Sequence, residues 1–141
     1  MEIARFVTRS VLTVGGDESL RDAAASMMER GVGSAVVLND GKPSGVITDR
    51  ESLRAIAQDR DPAEYTVNSF VTGRLSTVAE SLDIMEAARI MRDKGFRHLV
   101  VVGENGDLVG VFSMRDLVVG LLEERRALLA DVAAARSPAD D

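Results

Sequence analysis

The chain repeats itself, and that single feature restricts its fold more than any motif does. Leu12-Thr13-Val14 stands beside Ser76-Thr77-Val78, Asp22-Ala23-Ala24 beside Glu86-Ala87-Ala88, and Met27, Gly31 and Val36-Val37 beside Met91, Gly95 and Val100-Val101. The offset is 64 residues up to a turn, where one insertion makes it 65, and Gly45-Val46-Ile47-Thr48 then faces Gly110-Val111-Phe112-Ser113. The division that follows is a first repeat with its N-terminal segment at 1–57, a connector at 58–66, a second repeat at 67–122 and a C-terminal extension at 123–141.

Each copy reads as strand, helix, strand, strand, helix. Leu20, Ala23, Ala24, Met27 and Met28 fall on one helical stripe after Ser19, which has Asp22 three residues on, and Ile84, Ala87, Ala88 and Met91 repeat the stripe after Asp83. Met27, Met28, Met85 and Met91 are assigned to the core on this spacing. Gly31 and Gly95 end these helices, and β-branched runs at 35–38 and 99–102 follow. Turns at Asn39-Asp40-Gly41 and Glu104-Asn105-Gly106 send each chain back as a second strand. A lone copy would have a thin core; two copies packed sheet to sheet would not. A long helix is expected from Asp116 to about residue 134, with Leu117, Val118, Leu121, Leu122, Leu128, Leu129 and Val132 on its apolar side, facing either its own core or a partner chain. A frayed acidic end is expected at 136–141.

Composition removes several function classes. There is no cysteine and one histidine, His98, so a disulfide, a thiolate nucleophile and a multi-histidine metal site are all excluded. Net charge is −6, which argues against broad binding to nucleic acid or anionic lipid. No apolar run is long enough to span a membrane, and the N-terminus lacks a secretory pattern, so a cytoplasmic location is expected. No nucleophile–base pair, metal cluster or phosphate loop is legible, so the chain reads as a non-enzyme with no catalytic residue, no metal and no required cofactor.

Chemistry concentrates where the second strand of each copy runs into a helix: Thr48-Asp49-Arg50-Glu51 and Ser113-Met114-Arg115-Asp116. A helix start attracts phosphate, an acid there can accept both hydroxyls of a ribose, and the intervening arginine can neutralise phosphate. The same hydroxyl-to-acid spacing is also a capping box, which needs no ligand. His98 has two readings as well, a packed side chain beside Leu99 or a phosphate contact with Arg97.

The pattern Gly45-Val46-Ile47-Thr48-Asp49-Arg50-Glu51, repeated as Gly110-Val111-Phe112-Ser113-Met114-Arg115-Asp116, resembles the tandem CBS (cystathionine β-synthase) domain pair over about residues 5 to 122. The turns Arg30-Gly31-Val32-Gly33-Ser34 and Lys94-Gly95-Phe96-Arg97-His98 are similar to those of the same family. The resemblance implies an α/β (α+β) fold, two β-α-β-β-α repeats packed as a pseudo-twofold module, with adenosine-containing ligands between the repeats and dimerisation into a disc. It assigns the main cleft to Val32, Gly33, Ser34, Arg97, His98, Val111, Ser113, Arg115 and Asp116, with Asp116 on the ribose. A second cleft would be formed by Thr48, Arg50, Glu51, Thr72 and Leu75. The family has aspartate where this chain has Glu51, which makes the second cleft the weaker candidate.

The function expected is a stand-alone regulatory module binding AMP, ADP or ATP, ahead of S-adenosylmethionine or NAD. It would signal as a homodimer through its own assembly or an unidentified protein partner, with no nucleic acid or membrane involved. The alternative is a structural or interaction protein with empty clefts.

Overall fold

A computed structural model describes residues 1–71 and 75–135. Its strands are β1 (Thr13–Gly15), β2 (Ser34–Asn39), β3 (Lys42–Thr48), β4 (Thr77–Val78), β5 (His98–Val102) and β6 (Leu108–Ser113). Its helices are α1 (Leu20–Arg30), α2 (Asp49–Ala57), a single turn α3 (Val67–Phe70), α4 (Ile84–Lys94) and α5 (Met114–Ala135). The strands form two three-stranded sheets, β1-β2-β3 and β4-β5-β6. In each sheet the first pair is parallel and the second antiparallel, so both copies carry the β-α-β-β-α order expected of them. The fold is therefore a mixed α and β module of two repeats.

Local chemistry sets the boundaries. The Ser19 hydroxyl accepts from Asp22 N–H at 3.0 Å, and the Asp83 carboxylate accepts from Met85 N–H at 3.0 Å, so both helices open on a side-chain cap. Gly31 and Gly95 close them at φ 65° and 68°, in the left-handed region that a Cβ disfavours. The first hairpin turns through Asp40 and Gly41, both at positive φ, as a two-residue turn matched to strand twist requires. The second hairpin absorbs the extra residue in a longer loop closed by Gly103 N–H to Asp107 O at 2.9 Å.

Each repeat has its own core under its helices. Leu20, Ala23, Met27, Ala35, Val37, Ile47 and Ala55 build the first; Ile84, Ala87, Met91, Leu99, Val101, Phe112 and Leu117 build the second. Both cores are completed from outside the strand–helix unit. Val67 and Phe70, which precede β4 of the second repeat, are buried in the first core, and Ile3 and Val7, which precede β1 of the first repeat, are buried in the second. The backbone bonds are reciprocal. Leu20 N–H donates to Tyr65 O and Val67 N–H to Glu18 O, while Ile84 N–H donates to Met1 O and Ile3 N–H to Leu82 O, all at 2.8–2.9 Å. Each pair of partners is the other shifted by 64 residues.

The exchanged segments explain the glycine that opens each second-strand motif. A Cβ on Gly45 would stand 2.6 Å from Val71 Cγ1, and one on Gly110 would stand 2.7 Å from Val7 Cγ1 and collide with the Thr8 carbonyl. Thr8 and Val111 exchange both backbone bonds at 2.9 Å, which ties the N-terminal segment across β6 at that glycine.

Two expectations are corrected. Met28 is 81% exposed and Met85 is well exposed, so neither is core; both sit on outer helix faces, whereas Met27 and Met91 are buried as expected. The apolar residues of α5 divide: Leu117 is buried and Leu121 partly so, but Val118, Leu122, Leu128, Leu129 and Val132 all face outward. The far half of α5 has no core beneath it.

Gly110→Ala is expected to destabilise the fold by about 1–3 kcal/mol, the scale of forced overpacking, because the crossing backbone cannot retreat without losing the Thr8–Val111 bonds. Gly103→Ala, where the nearest atom to an added Cβ is 3.9 Å away, is the control expected to change little. Denaturant titration of both variants checks the difference.

Candidate functional site

Alternation along the strands gives each sheet a second apolar face away from its helices. Ala35, Val37 and Ile47 point into the first core, so their neighbours Val36 and Val46 lie on the other side, as Val111 does in the second sheet. Val36, Val46 and Val111 line a cleft of about 600 Å³ between the repeats. A second cleft of about 280 Å³ adjoins it across Val46, Arg97 and His98, which line both.

The larger cleft gathers all nine residues expected of the main site: Val32, Gly33, Ser34, Arg97, His98, Val111, Ser113, Arg115 and Asp116. It also contains Met114 and four residues the sequence did not flag, Thr8, Ser10, Val11 and Leu12. These four come from the exchanged N-terminal segment, whose position depends on long-range pairing that no local pattern encodes. The smaller cleft contains Thr48, Glu51 and Leu75 as expected, together with Arg54, Phe70, Val71, Ser76 and Phe96. Arg50 is not among its lining residues. Thr72, also expected there, lies outside the described residues.

Each cleft takes its acid from one repeat and its opposite wall from the other, and this accounts for their sizes. Asp116 faces the small Val32-Gly33-Ser34 turn of the first repeat. Glu51 faces Phe96-Arg97-His98, the bulkier counterpart in the second. The walls are held alike, by Asp49 N–H to Gly33 O at 3.2 Å and Met114 N–H to Arg97 O at 3.0 Å.

Both acids close capping boxes. Asp116 Oδ2 accepts from Ser113 N–H at 2.8 Å and from the Ser113 hydroxyl at 3.0 Å, and that hydroxyl accepts from Asp116 N–H at 3.2 Å. Glu51 Oε2 accepts from Thr48 N–H at 2.7 Å and from its hydroxyl at 2.8 Å. The second carboxylate oxygens differ. Asp116 Oδ1 meets the Thr8 hydroxyl at 3.2 Å, a group that can rotate to another partner. Glu51 Oε1 faces the Arg54 guanidinium at 3.8 Å. Capping therefore consumes one oxygen of each acid and leaves that of Asp116 the more available to a ligand.

His98 is half-buried between the clefts. Burial pushes its pKa below the ordinary value, the nearby Arg97 charge pushes it the same way, and Asp116 opposes both. The balance favours the neutral ring. Among the described residues no group of acids and histidine is placed to hold a metal ion, and no helix is long and apolar enough to cross a membrane.

Comparison with known proteins agrees with this geometry. Residues 3–58 and 67–123 each match the CBS domain family. An uncharacterised protein of Methanopyrus kandleri is 34% identical over 119 residues, which is 83% of this chain and 59% of that protein. The YhcV protein of Bacillus subtilis, which contains CBS domains, is 30% identical over 122 residues, 86% of each chain. Among solved structures, a CBS domain protein of Pyrobaculum aerophilum complexed with AMP superposes with a TM-score of 0.76 at 31% identity, covering 95% of this chain and 99% of that one.

The depressed His98 pKa makes a signed prediction. As pH falls below about 6.5, the unfolded chain takes up the proton before the folded one does. Stability present above that pH is then lost until the lowered folded value is passed. His98 is the only histidine, so its ring signals in an NMR titration should show a midpoint below that of a histidine peptide, with unfolding free energy declining over the same interval.

Proposed function

The chain is a tandem CBS-domain protein, and on that premise we propose that its larger cleft binds an adenine nucleotide, AMP, ADP or ATP, in a regulatory role and not a catalytic one. The observation that carries the reading is the position of Asp116. Its carboxylate stands at the start of α5 on the floor of a mostly apolar cleft, with Oδ1 engaged only by the Thr8 hydroxyl. A ribose diol can displace that hydroxyl and donate to the acid. Arg97, Arg115 and the helix start supply positive charge for phosphate, and Val32, Val36 and Val111 supply flat apolar walls for a base. The AMP bound by the Pyrobaculum relative supports the same ligand class here.

The module acts, in this proposal, as a cytoplasmic homodimer whose assembly or partner carries the signal. Leu53 and Ile56 on α2 and Val118, Val119 and Leu122 on α5 are all more than half exposed, an apolar surface suited to a second copy. Light scattering is expected to give twice the 15.1 kDa chain mass; a monomer at micromolar concentration refutes this part. The competing reading, a scaffold with empty clefts, is favoured by the capping boxes, since both acids already have a structural task.

Millimolar AMP, ADP or ATP is expected to raise the melting temperature by several degrees, as a ligand at about a hundredfold its Kd adds about 2.7 kcal/mol. No shift with any of them supports the scaffold. Asp116→Asn retains a capping oxygen but loses the charge behind the ribose bonds. It is expected to weaken AMP binding by about tenfold to a hundredfold in titration calorimetry, with little change in fold.

A further inference from the structure

The two clefts descend from one repeated unit, yet a side chain lies in the smaller one that has no equivalent in the larger. Arg54 is on the second turn of α2, one turn past Glu51, and its Nη1 donates to the Phe70 carbonyl at 3.0 Å. Its Nη2 stands 3.8 Å from Glu51 Oε1, the oxygen that capping leaves over. One guanidinium therefore links the acid of the cleft to the exchanged segment on its far side. The counterpart of Arg54 in the second repeat, 65 residues on as Asp116 is from Glu51, is Val119, which is 51% exposed and has no polar group to bridge an acid and a carbonyl.

We infer that Arg54 is an internal occupant of the smaller cleft, closing it to nucleotide so that each chain takes one ligand and not two. The inference rests on the nucleotide-binding reading of the larger cleft. The argument is one of competition. A ribose entering the smaller cleft must take Glu51 Oε1 from a cation, whereas in the larger cleft it displaces only a neutral hydroxyl from Asp116 Oδ1. It must also displace a guanidinium that holds a backbone carbonyl, which would lose its partner. With Arg54 in place, the space is less than half that of the larger cleft.

Titration calorimetry with AMP tests this. The wild-type chain is expected to bind one AMP per chain, and Arg54→Ala to bind a second, weaker equivalent with the first Kd unchanged within about twofold. Arg54→Lys, too short to hold both contacts at once, is the second variant and is expected to open the cleft partly, keeping the test intact if the alanine variant folds poorly. Two AMP per wild-type chain, or one AMP per chain in both variants, overturns the inference. The chain has no cysteine, so Ser76→Cys in the smaller cleft provides a single thiol reporter. Arg54→Ala should speed its alkylation in the absence of nucleotide by about tenfold, the effect of one lost hydrogen-bonded barrier. Equal rates also overturn the inference. If AMP binds no form of the protein, the proposed function fails, and the thiol rates still decide whether Arg54 closes the cleft.

Discussion

Two short segments trade places, and most of the molecule depends on that exchange. Ile3 and Val7 complete the core of the second repeat, and Val67 and Phe70 that of the first. A three-stranded sheet with two helices on one face is too small to bury its apolar surface alone. By lending each other a segment, the repeats gain a fuller core and become inseparable, because neither core is whole without residues that belong in sequence to the other. Glycine at 45 and 110 is the steric condition for the exchange, since the crossing segments pass where a Cβ would stand. The same crossing delivers Thr8 to Asp116 and Phe70 to Arg54. Core and clefts are thus consequences of one arrangement of chain.

The near-twofold frame makes the differences between clefts easy to trace. The backbone bonds agree pair by pair, so the inequality comes from side chains: Gly33 and Ser34 opposite one acid, Arg97 and His98 opposite the other, aspartate against glutamate, valine against Arg54. Duplication supplies two clefts of one backbone plan, and a few side chains make them unequal. Arg97, in the wall that the two clefts share, gives positive charge to both. A phosphate bound in one would therefore be felt electrostatically in the other.

The architecture was legible in the sequence to the extent that local signals carry it. Helix starts at Ser19 and Asp83, stops at Gly31 and Gly95 and the turn at Asp40-Gly41 are written in adjacent residues, and the structure reproduces them. The repeat gave the order of elements, and the family resemblance named the nine residues that line the larger cleft. What escaped was non-local. Residues 3–7 carry no pattern saying that they pack under the other repeat, so Thr8 and its neighbours in the cleft went unmarked. Arg54 resembles any exposed helix arginine until Phe70 is brought beside it by the exchange. Met28 and Met85 were misplaced for a different reason. Their helical stripes are wider than the core beneath, and spacing alone does not distinguish the inner edge of a stripe from the outer.

The placement of α5 connects the larger cleft to the outer surface. Its first turn holds Met114, Arg115 and Asp116 in the cleft wall, its second buries Leu117 against the core, and its far half extends through Leu128, Leu129 and Val132 with no core beneath. A helix is stiff along its axis, so a small change of direction at the cleft becomes a larger displacement at the free end. A ligand between Asp116 and the Val32-Gly33-Ser34 turn would contact both repeats at once and set their separation, and α5 would follow because its first residues form the site. At Gly120, Ile84 and Phe6 pack directly onto the α5 backbone, where any side chain would collide, so such a response would pass without slack. The exchanged N-terminal segment, α4 and α5 therefore meet at one close-packed point, about one turn of helix from the acid that would receive the ribose.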